Sequence, residues 1–184
     1  PLLEQVKVKK LFMAQGLIKN PSFQKRLDGR IKHTKLVELL AGMQVKEPQI
    51  TFNVVYPYQP GEGKNEDSLS LFFRLANKNW LFTGDLGQEG ESEIMQKTAL
   101  NIDYFKLGHH GSKTSSKPEF LQAIHPKQVF ISAGRNNRFG HPHQETLTTL
   151  ANQQIPWVST QDCGMISWYY GGMQEPEFNY FLKR

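Results

Sequence analysis

The chain lacks several features that would assign it to a familiar class. Among its 184 residues there is one cysteine, Cys163, so no internal disulfide can form and a cluster of thiolate zinc ligands is excluded. No apolar run approaches the roughly 18 residues of a membrane-spanning helix. Internal repeats, low-complexity tracts and linker-like segments are also missing, which predicts a single domain over residues 1–184.

The charge is only mildly unbalanced. The 22 Lys and Arg residues against 17 Asp and Glu residues give a net charge of +5. Such an excess permits an anionic partner such as nucleic acid, but a solvated basic surface is an equally good explanation.

Three short apolar runs each end in a loop that carries possible metal ligands. Residues 80–82, 104–107 and 128–132 are each predicted to be a buried strand. If these strands are parallel neighbours, their loops converge at one edge of a sheet, where open α/β folds bind ligands. Carboxylate and imidazole together suit Zn, Mn or Fe. The side chains delivered to this edge would be Asp85, then His109 or His110, then His141 or His143.

Each of these loops leads into a predicted helix. Helices are expected around residues 91–100, after a capping box formed by Ser116 and Glu119, and over residues 144–152. His143 would then stand at a helix N-cap. A short helix over residues 22–27 and further strands are expected as well, at residues 6–12, 49–56, 68–76, 157–159 and 164–170, with residues 35–40 either strand or helix.

Five segments carry a resemblance to a known family. They are NEDSL (65–69), LFTGD (81–85), LGHHGSKT (107–114), ISAGRNNRFGHPH (131–143) and residues 160–166, which end in GMI. Their most specific parts are HHGS and GRNNRFGHPH. With these segments the sequence is similar to the metallo-β-lactamase superfamily and, within it, to the C-terminal soluble domain of the ComEC family of competence proteins. The resemblance covers nearly the whole chain.

The resemblance implies an α/β fold, the four-layer αββα sandwich, with two divalent metal ions, Zn or Mn, at one end. It implies phosphodiester cleavage that degrades the DNA strand that is not imported, in a soluble domain of a bacterial membrane channel protein. Asp85 matches the bridging aspartate of the superfamily. His109 or His110 matches a catalytic histidine, and His110 and His141 match metal ligands.

Two loops could contact phosphate. The first precedes a helix N-terminus, where backbone N–H groups bind anions, although its Thr114 and Ser116 could equally cap that helix. The second is rich in arginine and asparagine, and could equally be a solvated loop. The candidate phosphate or DNA contacts are Ser112, Lys113, Thr114, Arg135, Asn137 and Arg138.

One departure from the family is large. The superfamily's first signature, H-x-H-x-D-H, is absent from the chain. We therefore expect a fragment that starts after this signature, with a sandwich incomplete on its N-terminal side and a partial metal site or none. Such a fragment would be inactive alone and could self-associate through exposed strands. Near residue 65, where many relatives have a metal-binding histidine, Asn65 or Asp67 could join the site or simply cap a turn.

Three functions remain open at this stage. The first is a metal-dependent nuclease of a DNA-uptake channel. The second is a phosphodiesterase acting on a small ester. The third is a DNA-binding or structural module of the transporter without catalysis.

Overall fold

A computed structural model describes residues 5–31, 33–171 and 177–182. Its strands are β1 (Lys10–Ala14), β2 (Lys35–Leu39), β3 (Gln44–Glu47), β4 (Ile50–Tyr56), β5 (Ser70–Leu75), β6 (Lys78–Phe82), β7 (Tyr104–Lys106), β8 (Gln128–Ile131), β9 (Trp157–Ser159), β10 (Ile166–Tyr169) and β11 (Glu177–Tyr180). Its helices are α1 (Pro21–Leu27), α2 (Gln88–Lys97), α3 (Pro118–Ile124), α4 (Gln144–Asn152) and α5 (Thr160–Cys163), with 3₁₀ turns at Leu17–Lys19, Asn65–Asp67 and Gly108–Gly111.

Within the described residues, seven strands form one mixed sheet in the order β3-β4-β5-β6-β7-β8-β9. Strands β3 to β6 are antiparallel neighbours, and β6 to β9 run parallel. The three strands that precede the candidate ligands are therefore parallel neighbours, which is the condition for their loops to converge at one edge. Two smaller sheets pair β1 with β2 and β10 with β11.

Helices α2, α3 and α4 cover one face of the large sheet. The alternation along the short strands sends Leu81, Phe105 and Val129 to this face, where all three are fully buried. They pack with apolar residues of the helices, among them Ile94 and Phe120. This core holds the parallel strands in register, so that their carboxyl ends lie side by side.

The opposite face carries a second, aromatic cluster. Trp80 and Phe130 are buried there, and the hairpin β10–β11 contributes Trp168 and Phe178. The Trp80 and Trp168 rings are 4.9 Å apart in an edge-to-face arrangement. The described residues thus provide a helical layer, a large sheet and a partial layer on the far side.

The predicted capping box at Ser116 and Glu119 is wrong. Helix α3 begins at Pro118 with Lys117 at its N-cap and no side-chain cap of its own. Ser116 has φ +56°, and its hydroxyl is buried without a hydrogen-bond partner among the described residues. The backbone N–H groups of Ser116 and Lys117 instead donate to the carboxylate of Glu91, which lies on α2.

Two smaller predictions also need correction. The first strand spans Lys10–Ala14, whereas the sequence predicted a strand over residues 6–12. His143 does occupy the N-cap of α4, but its side chain makes no capping bond there. Its Nδ1 accepts a hydrogen bond of 3.0 Å from the backbone N–H of Lys113.

Across the part of the chain that the structure describes, no helix is both long and apolar enough to span a membrane.

Candidate active site at the carboxyl ends of the parallel strands

Asp85 is positioned by the tight turn that ends β6. Gly84 has φ +61°, and a Cβ on it would lie 3.1 Å from the Cβ of Ser68, so glycine suits this position. The Asp85 N–H donates to Ser68 Oγ at 3.1 Å. The Gly84 carbonyl accepts from the His109 N–H at 2.9 Å, which ties this turn to the histidine loop after β7.

The histidine loop has an unusual backbone. His109 has φ +44° and His110 has φ +57°, so two successive non-glycine residues lie in the left-handed region. Gly111 follows, and a Cβ on it would come within 2.6 Å of Pro142 Cβ, so its lack of a side chain lets the loop after β8 approach closely. The Gly111 carbonyl accepts from the His143 N–H at 2.9 Å. Surrounding contacts therefore hold both loops in a defined arrangement.

His110 faces Asp85. Its Nε2 lies 3.6 Å from Asp85 Oδ1. On the other side of the ring, Nδ1 lies 2.6 Å from the Ser132 carbonyl oxygen, just beyond the end of β8. Because a carbonyl can only accept, Nδ1 carries a hydrogen, and Nε2 is the ring nitrogen that faces Asp85. A backbone carbonyl fixing the tautomer in this way is common for metal-binding histidines.

His109 and His141 complete the cluster. His109 Nε2 lies 3.5 Å from Asn65 Nδ2, and its Nδ1 lies 3.4 Å from Thr114 Oγ1. The His141 ring centroid is 5.5 Å from that of His109 and 6.3 Å from that of His110. Burial and the neighbouring imidazoles lower the pKa of His141, against the attraction of Asp85. A lower pKa favours the neutral ring, which is the form that binds metal.

The donor set suits a divalent metal, but it is not a complete cage. Three imidazoles and one carboxylate meet at one edge of the sheet, which is ligand chemistry appropriate to Zn or Mn. Across residues 5–31, 33–171 and 177–182, however, no group of three or more His, Cys, Asp or Glu side chains is arranged to hold an ion. Asp85 and His110 are the pair whose donor atoms already approach each other.

Of the predicted phosphate contacts in the histidine loop, Lys113 and Thr114 are exposed. Lys113 Nζ lies 3.8 Å from Glu145 Oε1, with both side chains largely exposed. Ser112 is buried, and its hydroxyl lies 2.9 Å from Thr114 Oγ1. Contact of these three residues with phosphate stays a prediction.

Asn137 organises the loop after β8. Its Nδ2 donates to the carbonyls of Gly134 and His141, and its Oδ1 accepts from the N–H groups of Phe139 and His141. All four hydrogen-bonding positions of this amide are thus used within the loop. The predicted phosphate role of Asn137 is not tested, but its side chain already has a structural task.

The two arginines of this loop differ in their contacts. Arg135 Nε donates to the Gln161 carbonyl at 2.6 Å. The Arg138 guanidinium lies over the Phe139 ring, 4.7 Å from its centroid. Both side chains remain exposed, so they stay candidates for binding an anion.

Sequence reasoning missed Lys106. Its Nζ donates to the Leu107 carbonyl at 3.0 Å, and burial lowers its pKa while the Asp85 carboxylate acts in the opposite sense. A lysine inside an apolar strand was a usable signal, because a buried charge requires a partner. Asn65, considered only as an alternative, reaches His109, whereas Asp67 accepts from the backbone N–H groups of residues 62–64.

Comparison with solved structures finds partial similarity of fold. The CmlA β-hydroxylase aligns with 80% of this chain and 35% of its own, with a TM-score of 0.50 and 10% identity. A Thermotoga maritima protein assigned to the metallo-β-lactamase superfamily aligns with 68% of this chain and 64% of its own, with a TM-score of 0.41 and 12% identity. The fold is α/β with one large mixed sheet, as predicted, and its solved structural neighbours include members of the metallo-β-lactamase superfamily.

Sequence relatives narrow the class to a family. No protein-family profile matches the chain. ComE operon protein 3 of Bacillus subtilis (strain 168) is 37% identical over 172 residues, which are 92% of this chain. Competence protein ComA of Neisseria gonorrhoeae is 32% identical over 61% of this chain, and Recombination protein 2 of Haemophilus influenzae is 39% identical over 55%.

The chain belongs to the ComEC family of competence proteins. It spans 22%, 17% and 13% of the length of these three relatives.

Proposed function

We propose that this chain is part of a metal-dependent nuclease domain that degrades the DNA strand left outside by a competence DNA-uptake protein. The observation that carries the proposal is the meeting of Asp85, His110 and His141 at the carboxyl ends of β6, β7 and β8. In this proposal the domain is a soluble part of a membrane channel protein, and DNA and the rest of the channel are its partners. Self-association through open strands remains part of the proposal, with β3 and β9 as the edges of the large sheet.

Asp85 and His110 are the proposed first metal ligands, with His141 next to them. The Ser132 carbonyl holds His110 in the tautomer whose Nε2 is free to bind. A divalent ion in this position would polarise a phosphate oxygen and lower the pKa of a bound water. Two ions, Zn or Mn, belong to the complete domain, and ligands from outside this chain would complete the set.

His109 is the proposed proton donor. Both of its ring nitrogens have long contacts, to Asn65 and to Thr114, and neither is fixed by a short bond. These two contacts orient the imidazole, and because neither is short, a ring nitrogen remains available to donate a proton to a leaving oxygen. Lys113, Arg135 and Arg138 would attract the DNA backbone, since guanidinium and ammonium groups pair with phosphate.

Metal binding is the first test. The purified chain should take up Zn²⁺ or Mn²⁺, about one ion per chain by elemental analysis and calorimetric titration, because it holds only part of a two-ion site. Asp85→Ala should weaken that binding at least tenfold. Loss of a residue that only hydrogen-bonds to a metal ligand weakens metal binding about 10- to 100-fold, and loss of the ligand itself should weaken it at least as much. Asp28→Ala, an exposed aspartate at the end of α1, is the matched control and should bind as the parent does. Equal metal content in the Asp85→Ala variant and the parent would contradict the proposed ligand.

A non-catalytic DNA-binding module is the second candidate. It is favoured by the absence of a three-ligand group within the described residues. Cleavage of single-stranded DNA by a chain extended at its amino terminus supports the nuclease. Salt-dependent binding without cleavage supports the module. Hydrolysis of small phosphodiesters but not of DNA would instead indicate a different substrate.

A further inference from the structure

An apolar ring stands exposed beside the candidate site. Phe139 lies in the loop after β8 and is 60% exposed. Its ring stacks on His141 with 5.7 Å between centroids and 22° between planes. A single exposed apolar residue is ordinary on a protein surface. This one differs in its location beside the candidate metal ligand His141 and in the hydrogen bonds that hold its loop.

The loop that presents Phe139 is rigidly built. The Asn137 amide uses all of its hydrogen-bonding positions to fix the backbone from Gly134 to His141. Gln161 Nε2 adds two bonds of 2.8 Å, to the carbonyls of Gly134 and His141. The ring is therefore preorganised in the exposed position, and a ligand that stacks on it avoids most of the entropy cost of ordering the loop.

Charge limits what could stack on this ring. The Arg138 guanidinium lies 4.7 Å from the ring centroid. A cationic headgroup such as choline would be repelled there, whereas an uncharged, planar nucleobase would not. Arg138 itself is exposed and can turn from the ring to the phosphate next to the stacked base.

We infer that Phe139 is a stacking platform for an unpaired nucleobase, next to the metal ligands proposed at Asp85, His110 and His141. This inference rests on the proposed function and specifies its substrate as single-stranded nucleic acid. Bases in a duplex keep their faces covered by neighbours, so only an unpaired strand offers a base to the ring. Stacking on an aromatic side chain is tolerant of sequence, so the site would process a strand without regard to its bases.

The test compares two fluorescent oligonucleotides of equal length, an oligo-dT strand and an abasic strand, by anisotropy in the presence of EDTA. The parent chain should bind the base-bearing strand roughly tenfold more tightly than the abasic strand. Phe139→Ala should lose that preference and bind the abasic strand as the parent does. Phe139→Trp should restore the preference. Phe181→Ala removes another exposed phenylalanine, 75% exposed and on a different loop, and should change nothing.

Salt dependence separates stacking from charge. Phe139→Ala should leave the slope of log affinity against log salt unchanged, whereas Arg138→Ala should reduce it by about one phosphate contact. If Phe139→Ala loses affinity equally for both oligonucleotides, or for neither, the stacking platform is overturned. The nuclease proposal still stands in that case if the parent binds DNA. If the parent binds neither strand, the inference and DNA as a substrate fall together.

Discussion

Replacing Glu91 with glutamine should remove a large part of the pH dependence of folding stability. The side chain of Glu91 is fully buried on α2, and its carboxylate accepts from the backbone N–H groups of Ser116 and Lys117, which connect the histidine loop to α3. Burial raises the pKa of Glu91 to about 7, against the two hydrogen bonds and the charge of Lys117, which act to lower it. The carboxyl is therefore partly protonated near neutral pH.

The size and sign follow from this value. A pKa raised from the ordinary 4.5 to about 7 corresponds to about 3 kcal/mol, at about 1.4 kcal/mol for each tenfold change in acidity. Because the folded state binds this proton more tightly than the unfolded state, the stabilisation is fully present below about pH 4.5. It is lost as the pH rises through about 7. The free energy of unfolding should thus fall on alkalinisation by about 3 kcal/mol more in the parent than in the variant.

Urea denaturation followed by tryptophan fluorescence at several pH values between 4.5 and 8.5 measures this difference. The parent curve minus the Glu91→Gln curve should decline steadily across that window, with unchanged m values. Glu89→Gln, an exposed position on the same helix, controls for the loss of one charge. A difference curve that stays flat from pH 4.5 to 8.5 would refute a raised pKa, and with it the picture of a desolvated carboxylate holding the histidine loop.

Two further predictions concern carboxylates away from the histidines. Asp67→Ala removes the acceptor for three backbone N–H groups in residues 62–64. The free energy of unfolding measured in urea should therefore fall by about 1–2 kcal/mol. An unchanged free energy of unfolding would show that Asp67 does not stabilise this loop. For Asp103, burial alone would raise the pKa, but the Asn79 N–H and the Lys127 ammonium outweigh it, so the pKa is lowered. Its stabilisation is then present above about pH 4 and lost as the pH falls further, so thermal melts from pH 5 to 2 should show a smaller acid loss for Asp103→Asn than for the parent.

The convergence of ligands could be predicted because it follows from local patterns. Short apolar runs followed closely by glycine predicted where the strands end. The parallel order of β6, β7 and β8 then brings Asp85 and His110 together. Helix α4 has the bounds predicted, Gln144–Asn152, since its apolar spacing and its start after Pro142 are local features.

Long-range capping could not be predicted in the same way. Ser116 and Glu119 match the pattern of a capping box, yet the acceptor for the start of α3 is Glu91, 25 residues before Ser116. His143 likewise bonds to Lys113, 30 residues away, instead of capping its own helix. Such bonds depend on which helices are neighbours in space, and the spacing of residues in one segment does not contain that information.

The left-handed backbone at His109 and His110 has a consequence for how this family would change over time. Each side chain there costs on the order of 1 kcal/mol relative to glycine. Under the proposed function, the use of the two imidazoles offsets this cost. In a lineage without the proposed activity, substitution of either histidine by glycine or asparagine would increase the stability of the fold. The residue pair at this turn should therefore distinguish working copies of the domain from copies that persist only as scaffolds.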